Sequence, residues 1–548
     1  MNNRNLRILF SIMIVTLILL SIFGYTYAYF TLQIDGTGKD IVVSTGDLKL
    51  EYVDGKDLTL SDALPGDSVS KTITVKNVGS REATYALYWD NLINTIDNFE
   101  LHVSLECKSY KNYGTSDQEE SGTCNNIYRA VPISSTTTTN NIKNGILIDI
   151  GITHEYTIVV KFDNKNYPQN DNKNKTFSGK ISIKSAEVYD LNCTFDGDMV
   201  QGAEYVNGQY TYRYMQEYNS GVTPMTNSIS PLMNVVSYDW QNITTDGWGV
   251  ILTDKESTSY VNSKVCTSIN NKPIVSMSYM FMDSQATSID LSSFNTENII
   301  NMEGMFFDSQ SKSLDFSNFN TSSVTNMENM FMRSQVGKLD LSSFDTTNVI
   351  NMYSMFSGSQ ATSIDLSSFN IKNVTNVSEM FYNSLAKVLD LSSFSNNKAT
   401  SLYWTFYGIQ AKYLDISNFD TSNVTDMIGV FNGSAITDII GLNNFNTSNV
   451  TNMSFMFNGS QTEILDLSSF DTSKVIDMSY MFARSNIKTI YVSDKFTTDN
   501  VGESNNMFFS STNLIGGAGT VYDSTKTDAT YAKIDGGTSS PGYFTLKS

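Results

Sequence analysis

The sequence predicts a multidomain chain, in which an N-terminal β-sandwich precedes an α/β solenoid of stacked repeats with a cap at each end. Two phrases recur in step every 25 or 26 residues through the C-terminal half. Short segments of alternating apolar and polar residues fill the N-terminal third, and an aromatic-rich segment lies between the two regions. A length of 548 residues fits several domains, since a domain typically has roughly 100–200 residues.

Residues 1–28 are predicted to be a signal peptide or an N-terminal membrane anchor. Arg4 and Arg7 precede a long apolar stretch, and Thr26-Tyr27-Ala28 offers a small-x-small cleavage site. Residues 8–34 carry no charge, so the uncleaved segment would be long enough to span a bilayer. Cleavage is the preferred interpretation, and membrane contact is expected only through residues 8–34 if they are retained. Both alternatives place the remaining chain outside the cytoplasm, in the extracellular space or at the cell surface.

Residues 29–187 are predicted to form a β-sandwich. Short strands separated by Gly, Asn and Asp turns are typical of that fold. The alternating segments are residues 48–52, 69–77, 83–89, 154–162 and 177–184.

Two motifs in this region resemble exported bacterial modules. Pro65-Gly-Asp-Ser-Val69 with Val75-Lys-Asn-Val-Gly79 resembles a stretch of immunoglobulin-like surface domains. Ala28-Tyr-Phe-Thr31 resembles the start of exported proteins of the TasA/camelysin type. Both resemblances imply an exported β-domain.

Residues 188–275 are predicted to cap the solenoid at its N-terminal end. Residues 205–214 and 240–250 are rich in Tyr and Trp. A solenoid must cover its exposed core at each end, and these rings would do so. The alternative is an exposed aromatic cluster that stacks on sugar rings.

The four cysteines are Cys107, Cys124, Cys193 and Cys266. Outside the cell they can pair in three ways. Because Cys107 and Cys124 fall in one Gly/Ser-rich segment, we expect Cys107–Cys124 and therefore Cys193–Cys266. Four buried thiols are the alternative. Zinc is not expected, because no CxxC occurs and His102 and His154 are the only imidazoles.

Residues 276–510 contain the repeats. The phrase apolar-Asp-apolar-Ser-Ser/Asn-Phe ends at Phe294, Phe319, Phe344, Phe369, Phe394, Phe419, Phe445, Phe470 and Phe496. A Met-Phe pair keeps the same interval from Met280-Phe281 to Met507-Phe508, with Thr405-Phe406 and Val430-Phe431 at two positions. A period of about 20–29 residues is the range of leucine-rich repeats.

One repeat predicts a strand followed by a helical turn. Leu339 and Leu341 share one face of a strand, which leaves Asp340 pointing outward. Val349, Met352, Met355 and Phe356 follow at offsets 0, 3, 6 and 7, which lie on one face of a helix. Both apolar faces would enter one thin core, so the Met-Phe pairs are interpreted as core and not as a cofactor site.

The repeats resemble BspA-type leucine-rich-repeat surface proteins in a 25-residue variant. The segment that carries the resemblance is Leu465-Asp-Leu-Ser-Ser-Phe-Asp-Thr-Ser-Lys-Val-Ile-Asp-Met-Ser-Tyr-Met-Phe482. Residues 511–548 resemble the tail that follows such arrays, and we predict them to form the C-terminal cap. The resemblance implies surface exposure and adhesion, with no catalytic residues. Trp404-Thr-Phe406 and Ile440-Gly-Leu442 depart from the pattern and mark either a bend or a specialised patch.

The Asp of each strand phrase forms a predicted acidic ladder, at about 4.8 Å per step if adjacent strands are parallel. Its members are Asp290, Asp315, Asp340, Asp365, Asp390, Asp415 and Asp466. Stacked carboxylates repel one another, so they need partners. One alternative is hydrogen bonding to neighbouring Ser hydroxyls or backbone N–H groups. The other is a binding face for cations or a basic ligand, where single-file carboxylates would hold calcium only weakly.

The predicted function is binding, without catalysis and without a cofactor. A formal net charge of −20 and the lack of a basic stripe argue against nucleic acid. No Walker loop, HExxH or GxSxG motif is present. We expect a cell-surface adhesion protein with an extracellular protein or glycan ligand. The alternative is a structural matrix or filament component that assembles through the β-sandwich.

Overall fold

The computed structural model describes residues 41–45, 48–53, 57–80, 82–165, 169, 172, 175–185, 192–215, 246–291, 294–395 and 398–547. The predicted signal peptide or anchor at residues 1–28 therefore lies outside the described residues, as does Trp240. Within the described part, no helix is long and apolar enough to cross a membrane.

The described residues form 24 β-strands and three 3₁₀ turns. The strands are β1 Ile41–Thr45, β2 Leu48–Val53, β3 Leu58–Ala63, β4 Ser68–Asn77, β5 Ala83–Asn94, β6 Leu101–Lys111, β7 Glu119–Ala130, β8 Ser134–Ile148, β9 Thr153–Phe162, β10 Lys175–Ser185, β11 Asn192–Cys193, β12 Glu204–Asn207, β13 Tyr210–Met215, β14 Gly247–Leu252, β15 Ser268–Ile269, β16 Lys272–Ser276, β17 Lys338–Asp340, β18 Ser363–Asp365, β19 Val388–Asp390, β20 Tyr413–Asp415, β21 Asp438–Ile440, β22 Ile464–Leu467, β23 Thr489–Val492 and β24 Phe544–Leu546. The 3₁₀ turns are Leu442–Asn444, Ala529–Tyr531 and Gly537–Ser539.

The N-terminal domain, β1 to β10, consists of two antiparallel sheets around one core. The strand orders are β1-β2-β4-β9-β6-β7 and β3-β10-β5-β8. In β4 the burial pattern alternates from Lys71 to Asn77, because one face meets the core and the other meets solvent. Trp89, Tyr85 and Tyr156 are wholly buried in this core.

The N-terminal cap is a six-stranded sheet in the order β11-β15-β16-β14-β13-β12. Its rings Tyr210, Tyr212 and Trp248 are fully buried and belong to the same core as the repeats. These aromatic side chains therefore cover the end of the array and, at these described positions, are unavailable to a sugar.

Both predicted disulfides are present. Cys107–Cys124 links the paired strands β6 and β7, and Cys193–Cys266 links β11 to the segment before β15. Among the described residues no cysteine is free. Two disulfides suggest an extracellular, oxidising environment.

The repeats form a β-solenoid in which successive coils stack in parallel register. Leu339 pairs with Ile364 and Asp340 with Asp365, one repeat apart. One Phe per coil forms a column of stacked rings through the core, with centroids 5.3–5.9 Å apart. This column comprises Phe281, Phe306, Phe331, Phe356, Phe381, Phe406, Phe431, Phe457, Phe482 and Phe508.

The predicted α/β leucine-rich-repeat class is wrong, because the described residues contain no α-helix. In the segment from Met352 to Gly358, every second N–H group donates its hydrogen bond to the next coil and not to its own. The N–H groups of Ser354 and Phe356 donate to Ser378 and Met380 in the next coil, at 3.0 and 2.8 Å. A helix would use these donors internally, four residues back.

Backbone conformation explains why the helical spacing does not produce a helix. Ser354 and Gly358 have φ of 50° and 64°, and corresponding residues in other coils share this left-handed conformation. Two left-handed residues four apart bend the chain into successive tight turns instead of a helix. Val349, Met352, Met355 and Phe356 are nevertheless all fully buried, as the 3- and 4-residue spacing predicts.

Buried Thr residues join the coils at the corner that follows each strand. Thr346 Oγ1 donates to the Asn370 carbonyl at 2.9 Å and accepts the Asn370 N–H at 2.8 Å. One hydroxyl thereby satisfies both polar backbone groups of a residue in the next coil. The same arrangement recurs at Thr296, Thr321, Thr421, Thr447 and Thr472.

The C-terminal cap closes the other end of the array. Strand β24 pairs in parallel with β23, which continues the sheet of β22. Tyr543 and Phe544 are fully buried and pack edge-on against Phe508, the last ring of the column. The two aromatic residues cover the end of the core at Phe508.

We predict that Phe356→Ala lowers the free energy of unfolding by about 3–5 kcal/mol, because it opens a cavity between two stacked rings. Phe356 lies 5.7 Å from Phe331 and 5.4 Å from Phe381. Urea unfolding of the full chain measures this change. Ile350→Ala in the same coil is the control, since Ile350 is 50% exposed. Equal effects of the two substitutions would contradict the ring column as the core of the array.

Candidate functional site

The predicted acidic ladder lies along the strand side of the solenoid. Asp340 pairs in register with Asp365, and Asp390 with Asp415. The column is interrupted at Ile440, which pairs with Asp415, and Tyr491 pairs with Asp466 at its C-terminal end. The repeat spacing therefore stacks carboxylates as the sequence predicts.

One oxygen of each of six ladder carboxylates is satisfied within its own coil. Oδ1 accepts the backbone N–H of the Ser two residues later, at 2.9–3.1 Å, which is an Asx turn. At Asp340, Asp390 and Asp466 the Ser hydroxyl also donates to Oδ1, at 2.6 Å. The Asp thus turns the chain out of the strand, and this role requires no ligand.

The second oxygen of five ladder carboxylates meets a side chain from outside the array. Asp290 accepts a hydrogen bond from Tyr260 in the N-terminal cap at 2.8 Å, and Asp466 is paired with Lys547 in the C-terminal cap. The three central members face the N-terminal domain. Their ion pairs are Arg129–Asp340 at 3.2 Å, His102–Asp365 at 3.7 Å and Lys165–Asp390 at 2.8 Å.

These three cations lie on, or just after, neighbouring strands of one sheet. Arg129 lies on β7, His102 lies on β6, and Lys165 follows the end of β9. The sheet order β9-β6-β7 places them in the same sequence as the three carboxylates. Strands of a sheet and coils of a solenoid share one hydrogen-bonding distance, about 4.8 Å. Side chains on the sheet and on the solenoid are therefore spaced at the same interval, with one cation for each of three successive coils.

His102 is the most enclosed member of this interface, with 3% of its side chain exposed. Its Nδ1 lies 2.7 Å from Asp163 Oδ2, and its ring stacks on Tyr128 at 5.0 Å. The contacts with Asp163 and Asp365 are ionic and lack aligned N–H···O hydrogen bonds. Burial alone would lower the pKa of His102, but the two carboxylates outweigh it and raise the pKa to about 9.

The pKa values of the partner groups also shift in the direction that favours their charged forms. Burial opposes ionisation of Asp365, yet His102 and the Ser367 contacts lower its pKa below the ordinary value. Burial likewise opposes the charge on Lys165, yet Asp390 raises the pKa of that amine. Both ion pairs therefore stay charged through the neutral range.

Two further contacts complete the interface. Arg129 also donates to the Ile142 carbonyl at 2.8 Å, which holds its guanidinium over the ladder. Lys338 of the solenoid forms an ion pair with Asp97 of the N-terminal domain at 2.7 Å. In this pair the solenoid supplies the cation and the N-terminal domain the carboxylate. A polar cavity of about 270 Å³ remains beside His102, between Tyr128 and Ser392.

This arrangement leaves little of the ladder for an external cation. The central carboxylates are already paired with cationic side chains of the N-terminal domain. Calcium, in addition, needs about 6–8 oxygen ligands around one ion. Elsewhere in the described residues, Cys107, Cys124 and His154 lie close enough together to hold a metal ion. Both sulfurs are committed to the disulfide, so they are not available as thiolates.

The sequence analysis named Ser hydroxyls and backbone N–H groups as possible partners of the ladder, and both are present, but it did not predict the cations of the N-terminal domain. Arg129, His102 and Lys165 are 200 or more residues away from the carboxylates they meet, and no local motif marks them. An unpaired excess of acidic residues in the repeats was the only available signal.

A family model described as "Mycoplasma protein of unknown function, DUF285" matches the chain over residues 255–336, 311–412 and 400–517. The matched ranges together span most of the solenoid. No curated protein and no solved structure matches the chain significantly. The chain is thus similar to a repeat family without an assigned activity, and the comparisons do not confirm the BspA-type resemblance.

We predict that the interface weakens as pH rises from about 6.5 to about 9. The pKa of His102 is raised to about 9 in the folded chain from 6.5. Its contribution is therefore complete below pH 6.5 and is lost as pH rises through the folded value, a change on the order of 3 kcal/mol. Urea unfolding from pH 5 to pH 10 checks this. The difference between wild type and His102→Gln should shrink over that window, and a constant difference would contradict the ionic role.

We further predict that Asp365→Asn loosens the N-terminal domain, at a cost of about 2 kcal/mol, because His102 keeps only Asp163 as its counter-charge. The amide preserves the Asx turn, so the coil should remain folded. Hydrogen exchange of residues 99–104 and 126–131 should accelerate. Asp315→Asn is the matched control, since Asp315 makes the same turn with Ser317. Equal exchange in the two variants would overturn the assigned contact.

Proposed function

We propose that this chain is an exported binding protein at the cell surface, which presents its solenoid to macromolecules of a host or neighbouring cell. The two disulfides support an extracellular location, and the caps support a free-standing array. The proposal assigns no catalysis and no cofactor. In this proposal the acidic ladder of the solenoid binds the N-terminal domain of the same chain and not an external ligand.

The observation that carries the proposal is a second column of side chains, which we call the β-branched column. It consists of Ile300, Thr325, Ile350, Thr375, Thr400, Thr425, Thr451 and Ile476. Each follows the buried Ile, Val or Ala that comes after the corner of its coil. All but Ile300 are exposed, with Ile350 at 50% and Ile476 at 57%.

The backbone of this column is rigid and evenly spaced. The N–H of Ile350 donates to the Thr325 carbonyl, and the N–H of Thr375 donates to Ile350, both at 2.8 Å. The Thr375 hydroxyl donates to the same Ile350 carbonyl at 3.2 Å, which restricts its rotamer. β-branched side chains lose little further freedom on binding, because their χ1 is already restricted.

A pre-ordered, uncharged surface suits recognition of an extended partner. Binding then costs little side-chain entropy, which is the main benefit of preorganisation. Exposed Ile residues at fixed intervals also have no role in the core, since the inward positions are filled by Val, Met and Phe. Repeat solenoids commonly bind along such extended surfaces.

We predict saturable binding of the full chain to at least one of a panel of extracellular-matrix proteins, mucins and whole cells, measured by surface interferometry. The double variant Ile350→Lys/Thr375→Lys should bind about tenfold more weakly, because two charges interrupt the uncharged β-branched column. Thr347→Lys adds a charge at an exposed corner of the same coil and should have little effect.

The outcomes separate the two functional classes. Loss of binding in the double variant alone supports the β-branched column as the contact surface. Equal binding of all variants would move the contact elsewhere. Failure of the wild-type chain to bind any partner, with filaments visible by electron microscopy, would instead favour a structural matrix component.

A further inference from the structure

Four aromatic side chains cluster on the surface of the solenoid in two adjacent coils. We call Tyr382, Tyr403, Trp404 and Tyr407 the aromatic cluster. Tyr382 stacks on Tyr407 with centroids 4.6 Å apart, and Tyr403 stacks on Trp404 at 4.8 Å. Trp404 lies 5.7 Å from Tyr382 and 5.3 Å from Tyr407, so all four rings are in contact. Each is partly exposed.

The cluster occurs where the repeat departs from its pattern. Coils on either side place Ser357 and Asn432 at the position of Tyr382 and Tyr407. At the position of Trp404 the same two coils place Ser354 and Gly429. The rings of Tyr382, Trp404 and Tyr407 are therefore not required for stacking coils, because the flanking coils stack with small or polar residues at these positions.

The position of Trp404 carries a structural cost. Its backbone is left-handed, with φ of 48°, and its indole lies directly against Gly429. A Cβ at residue 429 would meet the indole at 2.4 Å, so only glycine leaves room for this ring. The indole N–H is buried and has no acceptor among the described residues. An unpaired buried donor is costly, so its retention at this position calls for an explanation.

The groups around the cluster are polar and acidic. Glu379 accepts a hydrogen bond from the Tyr353 hydroxyl at 3.1 Å, and Asp426 accepts one from the Ser401 hydroxyl at 3.3 Å. Both carboxylates act on Tyr403, whose pKa is raised by burial and by these charges. Aromatic rings flanked by carboxylate acceptors favour a ligand with hydroxyl donors, and they repel one that carries negative charge.

We propose that the aromatic cluster is a binding site for neutral carbohydrate. The apolar face of a pyranose ring packs on the aromatic rings, while its hydroxyls donate to Glu379 and Asp426. Sialylated and sulfated glycans are excluded by the same carboxylates. This inference rests on the proposed function and deepens it, because it names a ligand class and a second contact surface.

A protein ligand fits the cluster less well. A specific protein interface buries on the order of 800 Å² per partner, around an apolar core. Four partly exposed rings in two coils, surrounded by Asn, Ser and carboxylate groups, are too few for such a core. They match the small contact area of one or two sugar units, where an aromatic platform with a few polar groups gives specificity.

The experiment is a titration of the full chain with polyacrylamide-linked galactose, glucose and N-acetylglucosamine, and with their sialylated and sulfated forms. We expect saturable binding to at least one neutral probe and none to the anionic forms. Trp404→Ala and Tyr407→Ala should each weaken that binding by about tenfold, the loss expected for a central aromatic contact. Trp404→Phe should retain more of it, because a ring remains for stacking.

The chain offers a matched control in Phe455→Ala. Phe455 occupies the position of Trp404 two coils later, has φ of 60°, and stacks on Tyr480 at 4.9 Å. Both substitutions place Ala in a left-handed backbone and remove one stacked surface ring, so their effects on folding should match. Thermal unfolding of each variant confirms that comparison. Binding that falls equally in Trp404→Ala and Phe455→Ala would overturn the assignment.

The result also separates this inference from the proposed function. Wild-type chain that binds matrix proteins or cells, but none of the neutral probes, would refute the carbohydrate site and leave the binding role intact. Neutral-probe binding that Trp404→Ala and Tyr407→Ala do not change would place the sugar elsewhere and refute the aromatic cluster. Failure in both assays would refute both proposals.

Discussion

The structure depends on hydrogen bonds that pass from each coil to the next. On the turn side, alternate N–H groups such as those of Ser354 and Phe356 leave their own coil to reach the following one. This pattern fixes the coils at the spacing of parallel strands, about 4.8 Å. Every side-chain column follows from that spacing, because residues one repeat apart must lie directly above one another. The Phe column fills the core, the Thr hydroxyls fasten the corners, and the acidic ladder lines the strand side.

The same spacing governs how the N-terminal domain is held. Its sheet presents Arg129, His102 and Lys165 on, or just after, neighbouring strands at the interval at which the solenoid presents Asp340, Asp365 and Asp390. Stacked carboxylates repel one another, but here the two oxygens of each central Asp have different partners. One oxygen accepts from the local Ser, and the other meets a cation. The charges of the three central ladder carboxylates are thereby compensated within the chain.

Sequence periodicity predicted which residues are buried better than it predicted their backbone. Val349, Met352, Met355 and Phe356 were placed correctly in the core but incorrectly on a helix. A spacing of three and four residues describes a chain that returns to the same side, and successive left-handed turns achieve this as well as a helix does. The left-handed turns could not be predicted from the sequence, because Ser354, Glu379 and Trp404 occupy positions where glycine would be expected. The disulfide pairs were predictable from the distribution of the cysteines. The ladder's cationic partners were not, because contacts between separate domains leave no periodic trace.

The interruption of the ladder at Ile440 bears on how such an array can evolve. Three cations on, or just after, adjacent strands require three successive acidic coils, and the described array provides them without a break from Asp290 to Asp415. Duplication or loss of a whole repeat beyond Asp415 would change the length of the molecule while the domain contact stayed the same. An insertion of a few residues within one strand phrase would instead rotate its side chains out of every column at once. A change in repeat number beyond Asp415 should therefore be tolerated by the domain contact, whereas a shift of register within a repeat should destabilise the array.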